Sequence, residues 1–105
     1  MNKYKINFSR LPWNSKLGSK SKAARLGEMK MRLVEFNDQF VETDWCVRGH
    51  FGYVLEGRLF VHFAREILEF NAGDGLHIPA GFPHKHKAMI RKGEHAKLIL
   101  FEEDE

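Results

Sequence analysis

From Met29 onward, apolar and polar residues alternate in short runs, which is the period of a strand and not of a helix. The runs are Met29 to Phe36, Phe40 to Val47, Phe51 to Leu55, Leu59 to Ala64, Ile67 to Phe70, Leu76 to Pro79, His84 to Ile90 and Ala96 to Phe101. Turn signals separate them, among them Asn37-Asp38, Glu56-Gly57, Asn71-Ala72-Gly73 and Lys92-Gly93. No window reads as a long helix. Strands this short at this spacing predict an all-β sandwich or barrel with the long connections of a Greek key or jelly roll.

Before Met29 the pattern is weaker. Tyr4 to Phe8 alternates and predicts a short edge strand, and Leu11-Pro12-Trp13-Asn14 then breaks regular structure. Gly18 to Lys22 reads as a mobile loop, and Ala23-Ala24-Arg25-Leu26 as one helical turn. The expected organisation is an N-terminal arm and basic loop over 1–28, a barrel over 29–101 and a solvated acidic tail over 102–105.

Composition narrows this without changing it. A chain of 105 residues, 43% hydrophobic with nine phenylalanines, holds one domain with a real core. The net charge of +3 is uneven: residues 1–32 carry nine Lys/Arg and one acid, Glu28. Those cations are interleaved with serine and glycine instead of aromatics, which predicts a solvated arm and argues against nucleic acid as a partner. A single cysteine, Cys46, excludes an intramolecular disulfide framework, and no stretch approaches a signal peptide or a membrane span. The expectation is a cytoplasmic protein away from membranes.

The candidate chemistry lies in the barrel region. Of six histidines, five (His50, His62, His77, His84 and His86) fall within 37 residues. Residues two apart on a strand share a face, so His84 goes with His86, and Asp44 goes with Cys46. In the same phase, His50 and Arg48 join Cys46. Imidazole, thiolate and carboxylate are the usual ligands of zinc, iron, nickel or copper, and an inward arginine suits a carboxylate or phosphate ligand. On spacing alone, histidines satisfied by hydrogen bonds, a cysteine in the core and an acid on the barrel rim account for the same residues.

Glycine spacing adds to this. Gly73, Pro79, Gly81 and His84 stand in the register of the second motif of the cupin superfamily, with Ala88 where that motif has asparagine. Tyr53-Val54-Leu55-Glu56-Gly57 resembles the end of its first motif, and counting back places His50 at the acid position and Asp44 and Cys46 at the histidine pair. The resemblance covers roughly residues 29–101 and implies a small jelly-roll β-barrel. It also implies one divalent ion (zinc, nickel, iron or manganese) on His50, His84, Cys46 and Asp44, with His86 or His77 competing for the last place. Arg48, His77 and His86 are then expected at the bound ligand.

Function divides three ways. A metal-dependent enzyme of undetermined reaction, acting on a small polar or anionic molecule, has His77, His86 or Glu42 as acid/base candidates. A non-catalytic binding or sensing module without metal uses the same cavity. Cys46 as a nucleophile has no supporting spacing. With Cys46 and His50 inward, Trp45, Val47, Phe51, Tyr53 and Leu55 form an outward apolar stripe. Such a stripe calls for cover, by the arm through Ile6, Phe8 and Trp13 or by a second copy, and the resemblance favours a homodimer.

Overall fold

In the computed structural model, which describes residues 4–103, eight strands pair antiparallel throughout. They are β1 (Asn14–Lys16), β2 (Ser19–Leu26), β3 (Met29–Asn37), β4 (His50–Phe63), β5 (Ile67–Asn71), β6 (Gly75–Ile78), β7 (His86–Met89) and β8 (His95–Glu103). The hydrogen-bonded order is β1-β2-β3-β8-β4-β5, with β6 and β7 also on β4. The first half of β4 lies between β8 and β6, and its second half between β5 and β7. One strand thus serves both sheets of the jelly roll.

The crossing point is a β-bulge. Pairing of β4 with β8 shifts register between Val54 and Glu56, and Gly57 follows with φ +72°. A Cβ there would stand 1.9 Å from the His95 carbonyl oxygen, so only glycine permits the bend. Inside, Val34, Val54, Leu59, Val61, Ile78, Ile90, Ala96, Leu98 and Leu100 form the core, flanked by Phe36, Phe40, Phe63 and Phe70.

The N-terminal third departs from expectation. Gly18 to Lys22 is not a loop and Ala23 to Leu26 is not helical: both belong to β2, paired with β3 from Ser19↔Phe36 to Leu26↔Met29. The hairpin turns at Gly27-Glu28, and pairing with an apolar neighbour overrides the strand's own polar composition. Tyr4 to Phe8 forms no strand, and Phe8–Arg10 is a single 3-10 turn. Phe40 to Val47 is not a strand either. Its only backbone ladder pairs are the isolated bridges Val41↔Met89 and Cys46↔His86.

The outward stripe has the predicted phase, and Trp45, Val47, Phe51, Tyr53 and Leu55 remain 41–49% exposed. The arm does not cover them: Trp13 packs under Lys20 and Lys22, whose Nζ atoms lie 4.4 and 4.5 Å from its ring centre. No helix among the described residues is long and apolar enough to cross a membrane.

Candidate metal centre and its cavity

The inward face of the larger sheet changes character along the strands. Ser21, Val34, Leu98 and Val54 lie side by side across β2, β3, β8 and β4, and two residues further the row is Ala23, Arg32, Leu100 and Gly52. One more step brings Lys30 opposite Glu102, with His50 alongside. Alternation that buried valine and leucine at one end delivers charge at the other. A cavity of about 600 Å³ runs over this gradient, with Val34, Phe36, Phe40, Leu59, Val61 and Leu98 on its apolar side.

At the polar end Cys46, His50 and His86 converge, each offering a ligand atom within 4.8 Å of the others. Cys46 Sγ is 3.6 Å from His50 Nε2. The two rings meet edge to face with centroids 5.1 Å apart. His50 Nδ1–H donates to the Glu102 carboxylate, which also receives Arg32 Nη2 at 3.1 Å. His86 Nδ1 is 3.0 Å from the His84 carbonyl oxygen and donates to it. Both histidines therefore have their Nδ1 protons fixed by an oxygen acceptor and keep Nε2 for the shared point. A carboxylate or carbonyl on the far nitrogen is the arrangement that orients metal-binding imidazoles. The donor set fits a divalent ion with an open coordination position.

The electrostatics agree. Hydrogen bonds from His50 and then His86 hold the Cys46 thiol down at about 6 in pKa, against an opposing effect of burial. Burial pulls His50 down, but its bonds to Cys46 and Glu102 outweigh that and raise it to about 9. Burial pushes Glu102 up, while His50 and the Arg32 charge bring it to about 2. His86 is raised as well, burial being outweighed by Cys46 and the His84 carbonyl. Near neutral pH these shifts favour a Cys46 thiolate facing a His50 imidazolium, and a bound ion would take the place of the proton between them.

The sequence-expected residues separate into two groups. Cys46, His50, His86 and Arg48 line the cavity, as does Glu42, whose carboxylate accepts the Ala88 N–H at 2.7 Å. Asp44, His77 and His84 are exposed and line none of it. Asp44 lies in irregular chain, so strand phase does not carry from it to Cys46. On β6, alternation turns Leu76 and Ile78 inward and His77 out. His84 ends the 3-10 turn Phe82–His84 that Pro83 helps to build, and the strand begins only at His86. His86 thus occupies the place that the motif register gave to His84. Glu102, expected in a solvated tail, is 5% exposed and is the last inward residue of β8. The series Ala96, Leu98, Leu100, Glu102 was the signal that could have found it.

A closed antiparallel jelly roll with a histidine-rich polar end defines a class of small barrel proteins. The family model described as "Cupin domain" matches residues 47–100, and the chain belongs to the cupin superfamily. No curated protein matches it. Among solved structures, a cupin-2 domain containing protein from Shewanella frigidimarina is 26% identical, with 77% of this chain and 76% of that one covered at a TM-score of 0.62. KdgF from Halomonas sp. is 23% identical, covering 95% and 94%, at 0.73. The polyketide cyclase RemF from Streptomyces resistomycificus is 15% identical, covering 100% and 81%, at 0.79. The last two likenesses are of fold alone.

Proposed function

We propose that this cupin binds a small polar molecule in its cavity beside a divalent metal ion held by Cys46, His50 and His86, and that it acts as a metal-dependent enzyme. The observation that carries this reading is the pairing of each Nδ1 with an oxygen acceptor, His50 with Glu102 and His86 with the His84 carbonyl, which leaves both Nε2 atoms beside one sulfur. One thiolate and two imidazoles suit zinc, iron or nickel better than manganese, which prefers oxygen ligands. When bound, such an ion supplies Lewis acidity to a substrate oxygen. Glu102 fixes the His50 proton, Glu42 and Arg48 line the substrate side, and the apolar wall excludes water. A polyketide cyclase among the structures of the same fold supports a catalytic use of such a cavity.

A lone cysteine with a reactive thiolate suits a reducing compartment, so we place the protein in the cytoplasm. Its partner across Phe51, Tyr53 and Leu55 is a second copy of the chain. The test is elemental mass spectrometry on protein purified without a histidine tag. Near-stoichiometric metal that is lost in His50→Ala supports the reading. Metal-free, folded wild type removes it and favours a binding module, or a Cys46 thiolate activated by the His50–Glu102 relay.

A further inference from the structure

The polar end of the cavity holds more positive charge than its own carboxylate requires. Lys30, Arg32 and Arg48 line it together with Glu102. Lys30 Nζ and Arg32 Nε lie 3.8 and 3.1 Å from Glu102 Oε1, and His50 is on Oε2. Arg32 Nε is buried and, although close to Oε1, makes no hydrogen bond, because its N–H is not aimed at that oxygen. Arg48 has no side-chain partner among the described residues, and it borders both the main cavity and a second depression at the same rim. Over the whole lining, Lys16, Lys30, Arg32 and Arg48 face the two carboxylates of Glu42 and Glu102, with Lys30 and Arg32 half-buried and Arg48 at the exposed rim, so cations and an unmet buried donor are left in excess.

We infer that the cavity receives a small amphipathic acid, its carboxylate or phosphate head on Arg48, Arg32 and Lys30 and its apolar body on the Val34, Phe40, Val61 and Leu98 wall. A guanidinium presents two parallel N–H donors to such an oxyanion. The volume of about 600 Å³ is that of a small-molecule site. This deepens the pocket reading above and rests on the cavity being a ligand site, without requiring that an ion be there. The apolar wall distinguishes the ligand from free phosphate or a simple dicarboxylate, neither of which has anything to bury on it.

The experiment is calorimetric titration of the full-length protein, once after chelator treatment and once loaded with zinc. The probes are benzoate, phenyl phosphate and neutral benzyl alcohol. An acid binds the metal-free protein at least about tenfold more tightly than benzyl alcohol, and Arg48→Gln weakens it about tenfold or more, the range expected for a charged hydrogen bond. Preference for benzoate assigns a carboxylate head, and preference for phenyl phosphate a phosphate. The inference is overturned if neither acid binds, if benzyl alcohol binds equally well, or if Arg48→Gln keeps full affinity. Binding confined to the zinc form also overturns it, since the anion then sits on the ion and not on the guanidinium, and the metal reading survives. Acid binding by protein that never holds metal supports it while the metal reading falls. Arg48 is exposed, so its replacement does not threaten the fold.

Discussion

His86 turns its Nδ1 onto the carbonyl oxygen of His84, 3.0 Å away, so that one histidine orients the other through its backbone alone. The side chains then play unequal parts. His86→Ala removes a ligand and should abolish stoichiometric metal. His84→Ala leaves the accepting carbonyl in place and should retain it. Elemental analysis of the two purified variants checks this, and loss of metal in both would show that the second motif contributes His84 after all.

Glu102 supports His50 from behind, and breaking that support should be felt twice. Glu102→Gln keeps the shape but removes the charge that pairs His50 and Arg32. We expect about 2–3 kcal/mol of lost stability in the metal-free protein. Metal affinity should fall about 10- to 100-fold, as for other carboxylates behind a metal-binding histidine. Chemical denaturation and competition with a chromogenic chelator measure the two effects separately.

The pH profile of the metal-free protein follows from four shifts, those of Glu102, His50, Cys46 and His86. Glu102, lowered from 4.5 to about 2, contributes stability that is present above pH 4.5 and is lost as pH falls toward 2. His50, raised from 6.5 to about 9, contributes stability that is full below 6.5 and is lost as pH rises toward 9. Cys46, lowered from 9.0 to about 6, contributes in the opposite sense, gaining as pH rises over nearly the same window. These two cancel, because the native state there holds the His50 proton and lacks the Cys46 proton. Between about pH 6.5 and 9 only the raised His86 is left uncompensated, so stability should decline gently there as pH rises, and it should fall below pH 4.5 by about 2 kcal/mol, after allowance for screening from the cavity. A steep slope between pH 7 and 9 would contradict the thiolate–imidazolium pair.

Gly57→Ala places a Cβ 1.9 Å from the His95 carbonyl at a φ of +72°. A cost of at least about 2 kcal/mol is expected. Gly27→Ala, where a Cβ meets nothing within 4 Å, shares the positive φ and is the comparison. It should cost about 1 kcal/mol, and thermal melts rank the two.

Phe51 stacks on Phe101 with ring centroids 5.4 Å apart, yet is 49% exposed. If a second copy covers this face, Phe51→Ser with Tyr53→Ser shifts the protein to monomer by light scattering at micromolar concentration. A wild type that is already monomeric there would remove the dimer.

How much was legible follows from where strand alternation holds. Met29 to Phe36 and Ala96 to Phe101 are apolar-rich runs of strand length bounded by turn signals, and those strands lie where the pattern placed them. His50 was legible because Val54, in the core, fixed the inward parity of β4, whereas Cys46 lies before that strand and is held by its bridge to His86. The polar β2 was illegible because its pairing comes from β3 and not from its own residues. His84 was taken from the second motif's register and Asp44 from the first motif's count and a shared strand phase with Cys46, but the chain at His84 is a 3-10 turn and at Asp44 is irregular, and both side chains lie outside the cavity. Glu102 was missed because the acids following it made it look like tail.

The double membership of β4 fixes an order of assembly. Its first residue, His50, holds one donor, and its last, Phe63, pairs with His86, which holds another. Cys46 reaches the pair only through its bridge to β7. No hairpin among the described residues contains all three donor atoms, so a partly folded chain offers at most the local pair Cys46 and His50. An ion held by all three would therefore seal a finished barrel instead of templating one, and its off-rate would report how often the two sheets part.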